Sequence, residues 1–201
     1  MADADRRLAV LVPVKRFGAA KLRLAPALDA GEREALARSM ASTVVAAAAP
    51  LPVWVVCDDP DVAAWATGAG AGVLWKPGRG LNGAVNEGVA DLAGAGVAAV
   101  IVAHADLPLA TDLGWVGRFE GVTLVPDRRD DGTNVACVPA GSGFTFAYGP
   151  GSFRRHAAEA ERVGLPLRVC RERRLGWDVD LPGDLALPGD LPVTAAGRPC
   201  T

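Results

Sequence analysis

Short apolar runs alternate with longer Ala-rich, charge-bearing stretches through the first half of the chain. Residues 7–14 (RLAVLVPV), 52–59 (PVWVVCDD), 72–76 (GVLWK) and 97–108 (VAAVIVAHADLP) are short and nearly continuous in apolar residues. That is the pattern of strands buried on both faces. Residues 31–49 carry charge in the first turn and are rich in Ala, which predicts a helix. The stretch DPDVAAWATGAG predicts a short helix, and residues 81–96 (LNGAVNEGVADLAGAG) a longer one despite their glycines. Strand and helix in alternation predict an α/β fold with a largely parallel sheet.

The second half reads differently. Residues 121–141 contain two β-rich pieces separated by DRRDDG, and GFTFAYG at 143–149 predicts a further one. Residues 151–164 predict a helix that Ser152 caps and Gly164 ends. A strand at 165–172 and a short helix or turns in LPGDLALPGDLP complete the pattern. One domain is expected over 1–191, with a loosely ordered tail at 192–201.

Composition narrows the class. The 201 residues are 50% hydrophobic, enough for a sizeable core, and the formal net charge is -2. A near-neutral chain argues against general nucleic-acid binding, so any positive site is local. The first residues form neither a signal peptide nor a membrane span, and a cytoplasmic location is expected. Cys57, Cys137, Cys170 and Cys200 show no CxxC spacing, and buried reduced thiols are the expectation.

Against that background, VPVKRFGAAKLRLAPAL (residues 12–28) stands out, with Lys15, Arg16, Lys21 and Arg23 in a small-residue loop directly after the first strand. It reads either as a solvated surface loop or as a cradle for phosphates. Asp106 ends the fourth strand, at the sheet edge where open α/β folds bind ligands; a plain turn cap is the alternative. Asp178 and Asp180 lie two apart, which in an extended segment puts both carboxylates on one side. Such a pair calls for a cation, and Mg²⁺ with a nucleotide phosphate is the commonest answer. Asp184 reads as a helix cap. Gly151 and Ser152, at a helix N-terminus, could receive an anion through free N–H groups, with the hydroxyl of Thr133 nearby.

In order along the chain, VPVKRFGAAKLRLAP, LNGAVNEG, HADLPL, PDRRDDGTNVA, FAYGPGSFRRHAAEA and WDVDLPGDL resemble the 2-phospho-L-lactate guanylyltransferases, which include relatives that use phosphoenolpyruvate. The resemblance covers roughly residues 8–188. It implies a single Rossmann-like nucleotidyltransferase domain of the GT-A type, with a mostly parallel central sheet flanked by helices and a small β-rich acceptor-binding part. It implies transfer of GMP from GTP to a small phosphoacid, with pyrophosphate released, in the biosynthesis of coenzyme F-420. On this resemblance Asp106, Asp178 and Asp180 would hold Mg²⁺. Lys15, Lys21 and Arg23 would bind the triphosphate, with Lys21 and Asp106 catalytic. Asn82 would lie near the nucleotide, and Thr133, Gly149 and Ser152 would bind the acceptor. The product would pass to the next transferase of the pathway.

Other activities remain open at this point. They are 3-phosphoglycerate as acceptor, a GT-A nucleotide-sugar glycosyltransferase, and a non-catalytic nucleotide-binding domain. A loop with one glycine, KRFGAAKLR, in place of the glycine-rich loop of sugar nucleotidyltransferases argues against a sugar phosphate. His156 lies one turn into its helix, facing either the acceptor or solvent, and Arg128 and Arg129 are either surface charge or anion contacts.

Overall fold

A computed structural model describes residues 7–188 and Cys200. Seven strands form one sheet: β1 (Leu8–Pro13), β2 (Val53–Cys57), β3 (Gly72–Trp75), β4 (Ala99–Ala103), β5 (Val122–Pro126), β6 (Thr133–Pro139) and β7 (Leu167–Val169). Their order is β3-β2-β1-β4-β6-β5-β7, with β6 antiparallel to both of its neighbours and the other pairs parallel. Four α-helices cover the sheet: α1 (Ala30–Ala47), α2 (Pro60–Gly68), α3 (Gly80–Gly94) and α4 (Ser152–Arg162).

The continuous apolar runs follow from two-sided burial. Along β1, Val10 and Val12 face one core cluster with Val44 and Ala41 of α1, while Ala9 and Leu11 face another with Val85 and Val89 of α3. In β4, Ile101 belongs to the first cluster, and Val100 and Val102 to the second. An alternating polar residue would be buried without a partner on either face, so none is present. Asp29 begins α1 through a reciprocal capping box with Glu32, each backbone N–H donating to the other's carboxylate at 2.8 Å. Gly88 explains one of the glycines of α3: a Cβ there would stand 3.0 Å from Leu11 Cδ2, a tight contact that would press on the Leu11 side chain where the helix lies against β1.

Strand order reverses between β1 and β4, which run parallel side by side. The chain leaves β1 toward β2 and β3, and leaves β4 toward β6 and β5. Their carboxyl ends therefore open on a crevice that no connection crosses. The basic loop follows β1, and Asp106 follows β4.

Three expectations change. Residues 143–149 form no strand. The segment is extended, and Phe144, Phe146 and Tyr148 are buried in the core as alternation requires, but its ladder partners are side chains. Asn86 Nδ2 donates to the Phe146 carbonyl at 3.0 Å, and its Oδ1 accepts from the Phe146 N–H at 2.8 Å. One helical turn earlier, Asn82 does the same for Tyr148, at 3.3 and 2.7 Å. Between them the Ala147 N–H donates to His156 Nε2 at 2.9 Å. His156 is thus buried rather than on the surface, and burial pushes its pKa from 6.5 down to about 4. The second change is at α4, where Gly151, at φ +72°, is the N-cap and Ser152 does not cap. The third concerns cysteine: Cys57 and Cys137 are buried and free, but Cys170 and Cys200 form a disulfide where their segments meet in an isolated β-bridge. The expected tail lies outside the described residues, Cys200 apart.

Removing the amide of Asn86 leaves both backbone groups of Phe146 without partners. Asn86→Ala is expected to lower unfolding free energy by about 1–3 kcal/mol, read from urea denaturation, and to speed amide exchange at Phe146. His156 contributes in a defined pH window. Its native pKa lies below its ordinary value, so the unfolded chain takes up the proton first. The stabilisation is complete above about pH 6.5 and is lost as pH falls through about 4. The urea midpoint should decline across that window, and less steeply in His156→Gln.

Candidate active site

The basic loop is pinned at two apolar points. Phe17 is buried edge-on against Trp65, and Leu24 packs with Met40 and Val179. Between these anchors, two short 3₁₀ turns, Phe17–Ala19 and Leu22–Leu24, leave Lys21 in the left-handed region at φ +56°. A non-glycine residue there costs about 1–2 kcal/mol, and the side chain shows what holds it. Lys21 Nζ lies 2.6 Å from Asp106 Oδ2 and 2.9 Å from Asp180 Oδ1. Its ammonium, expected among phosphates, stands here between two carboxylates. Arg23 lies 4.0 Å from Asp180 with its side chain 75% exposed, and Lys15 is exposed beside the same opening. Arg16 turns away toward Asp59.

Several contacts fix the acidic side. The Val179 N–H donates to the Asp106 carbonyl at 3.3 Å, which ties the Asp178–Asp180 segment to the end of β4. Buried Asp184 is not the cap expected of it: it is the third residue of the 3₁₀ turn Pro182–Leu185, and it reaches back to accept from the N–H groups of Asp180 and Leu181 at 2.9 and 2.8 Å. The other oxygen of Asp184 takes the guanidinium groups of Arg128 and Arg129. Arg128 also donates to the Asp178 carbonyl at 3.1 Å and lies over the Trp177 ring. These two arginines are thus the brace of the acidic segment. The adjacent arginines of DRRDDG and the three aspartates of WDVDLPGDL were the signal that these segments meet.

Electrostatics follow from the crowding. Burial pushes the Lys21 pKa down, but the charges of Asp106 and Asp180 outweigh it and the net shift is upward. For Asp106, burial pushes up, and Lys21 followed by His104 outweigh it, so its carboxyl is held below the usual range. Asp178 goes the other way: burial and then the charge of Asp106 raise it. One oxygen each of Asp106 and Asp178 is buried with no hydrogen-bond partner. Among the described residues, no three His, Cys, Asp or Glu side chains are already drawn together as a metal cage. The unpartnered oxygens nonetheless suit a hard cation, which prefers carboxylate donors.

The opposite wall carries hydroxyls. Thr133 and Ser152 are both buried, and the Thr133 N–H donates to Ser152 Oγ at 3.1 Å. Thr133 Oγ1 lies 2.9 Å from His156 Nδ1. The start of α4 differs from expectation: its N–H groups are already used within the chain. The Gly151 N–H meets both carboxylate oxygens of Asp131 at 3.1 Å, the Ser152 N–H reaches the Gly149 carbonyl, and the Phe153 N–H reaches the Asp131 carbonyl. The available donors are therefore the hydroxyls rather than the helix terminus. His104 also faces this space, its Nε2 unpartnered and its pKa lowered by burial.

The loop, the acidic segment and the hydroxyls open on one cavity of about 650 Å³. The lining includes Lys15, Lys21 and Arg23, the carboxylates of Asp106, Asp178 and Asp180, and Thr133, Gly149 and Ser152, together with Asp127 and Asp131. Asn82 is not part of its lining, because both ends of its amide are taken by Tyr148.

Comparison with known proteins gives the arrangement a family. The family described as "Guanylyl transferase CofC like" matches residues 8–188. A phosphoenolpyruvate guanylyltransferase from Sphaerobacter thermophilus is 37% identical, with 92% of this chain and 95% of that protein covered. One from Roseiflexus castenholzii is 39% identical, with 95% and 92% covered. Among solved structures, a putative nucleotide-diphospho-sugar transferase from Desulfovibrio desulfuricans G20 superposes with a TM-score of 0.70 at 17% identity, covering 89% of this chain and 84% of that one. A 4-diphosphocytidyl-2C-methyl-D-erythritol synthase does so at 0.57 and 15%, covering 90% and 95%. The nucleotidyltransferase fold, the matched span and the level of identity agree: this chain belongs to the CofC-like guanylyl transferase family.

Proposed function

We propose that this protein transfers GMP from GTP to the phosphate of phosphoenolpyruvate and releases pyrophosphate, as a step in the biosynthesis of coenzyme F-420. The observation that carries this reading is a single cavity lined by the loop cations, by the carboxylates of Asp106, Asp178 and Asp180 and by the hydroxyls of Thr133 and Ser152, with Lys21 held between Asp106 and Asp180. Phosphoenolpyruvate is favoured over 2-phospho-L-lactate by the names of the relatives that cover nearly the whole chain. An oxygen of the acceptor phosphate attacks the α-phosphorus of GTP, and the bond to the pyrophosphate oxygen breaks. The acceptor is already an anion at neutral pH, so no general base is required.

Rate then depends on holding two anions together and on neutralising the charge that leaves. Lys15, Lys21 and Arg23 face the triphosphate and the departing pyrophosphate. Thr133, Gly149 and Ser152 face the acceptor. Asp106, Asp178 and Asp180 would hold Mg²⁺, which would supply positive charge to the phosphate oxygens. Lys21 Nζ balances the charges of Asp106 and Asp180.

The decisive assay is pyrophosphate release from GTP and Mg²⁺ with phosphoenolpyruvate, 2-phospho-L-lactate or 3-phosphoglycerate supplied separately, with the next transferase present to trap an unstable product. Turnover with phosphoenolpyruvate is expected. No turnover with any of the acids defeats the reading, and a glycosyltransferase would release no pyrophosphate. Lys21→Met is expected to lower kcat by about 100-fold or more. Calorimetric titration with Mg²⁺ should give heat for the wild type and much less for Asp106→Asn, with EDTA reversing the wild-type signal.

A further inference from the structure

The hydroxyl wall has a built-in direction. The Ala147 N–H can only donate, and it points at His156 Nε2 from 2.9 Å. That nitrogen must therefore present a lone pair. The imidazole is buried and neutral, so its one hydrogen sits on Nδ1. Nδ1 faces Thr133 Oγ1 at 2.9 Å and donates to it. The Thr133 N–H in turn donates to Ser152 Oγ at 3.1 Å. The opposite tautomer would set N–H against N–H at Ala147 and leave a lone pair on Nδ1, which would draw the Thr133 hydrogen away from the cavity.

Both hydroxyl oxygens thus accept from the protein, and both belong to residues that line the cavity. Neither hydroxyl hydrogen finds an acceptor in any hydrogen bond recorded for the described residues. We propose that His156 is a positioning residue that locks the Thr133 hydroxyl as a hydrogen donor toward the acceptor's oxyanion, alongside that of Ser152. The subsite so made offers hydrogens from its two hydroxyls, while the Asp127 and Asp131 carboxylates that also line the cavity are taken up by N–H groups of the chain. It receives a phosphate or carboxylate oxygen and disfavours a group that itself must donate. The low pKa of His156, about 4, keeps this setting constant across the neutral range.

The inference rests on the guanylyl-transfer reading for its ligand but not for its device, and two measurements separate them. The chain has two histidines, so nitrogen NMR of ¹⁵N-histidine protein, with His156→Gln for assignment, reads the tautomer directly. A protonated Nδ1 and a bare Nε2 from pH 6 to 8 are expected; a protonated Nε2 or an imidazolium overturns the proposal. In kinetics, Gln can replace the Nε2 acceptor but not the Nδ1 donor, whereas Asn can replace the donor. His156→Gln should raise the KM for phosphoenolpyruvate about tenfold and leave the KM for GTP unchanged. His156→Asn should raise it less, and adding Thr133→Val to His156→Gln should change little further. Folded His156→Gln with an unchanged acceptor KM, or with both KM values raised alike, overturns the positioning role. A wild type that binds and turns over no phosphoacid defeats the functional reading instead, and the NMR result still judges the tautomer.

Discussion

Three carboxylates, from Asp106, Asp178 and Asp180, converge where the strand order reverses, and like charges do not gather there without a cation. The Lys21 ammonium is that cation, at 2.6 and 2.9 Å from two of them. Much of the local architecture serves this meeting. Phe17 and Leu24 clamp the basic loop from both sides, and Lys21 accepts a left-handed backbone to reach inward. Asp184, Arg128 and Arg129 brace the opposite approach. Neither side is a flexible arm; each is anchored within a few residues of its charged group.

The sheet makes this possible because it is buried on both faces. Its central strands carry no chemistry along their length and deliver it only at their ends. The antiparallel β6 adds a different contribution. It runs back from Thr133, so its first residue, rather than its last, lies at the same edge as Asp106. One edge thereby receives the ends of β1 and β4 and the start of β6. The basic loop follows β1, Asp106 follows β4 and Thr133 begins β6, while Asp178 and Asp180 come in on the segment after β7 and Ser152 on α4.

What could be read in the sequence was what depends on pattern. The apolar runs located the strands because two-sided burial leaves an unbroken signature. The loop cations, Asp106 and the Asp178/Asp180 pair could be named because each sits next to a strand end or repeats at a spacing with chemical meaning. What depends on partners distant in the chain could not be read. The alternation of Phe144, Phe146 and Tyr148 is real, but it reports burial and says nothing of what pairs with the backbone. Ser152 looks like a helix cap until Thr133 claims its oxygen, and Asp131, twenty residues earlier, takes the Gly151 N–H. The family resemblance put Asn82 near the nucleotide, and only the fold reveals that both ends of its amide are bonded to Tyr148.

The paired amides of Asn82 and Asn86 make α3 a ruler for the segment that crosses it. Four residues of helix advance about 6.0 Å, and two residues of extended chain about 6.7 Å. The two repeats nearly coincide over one interval, and the mismatch doubles at the next, so a helix face can template two rungs of a strand and not a long ladder. After Tyr148 the chain is free of the ruler, and at Gly149 it takes φ +121°, a value suited to glycine, and turns toward α4. The position of the bend is therefore counted from inside another element. One residue inserted into α3 between the two asparagines would turn one of them by about 100° around the helix. It would displace the start of α4 without altering a single residue of the cavity.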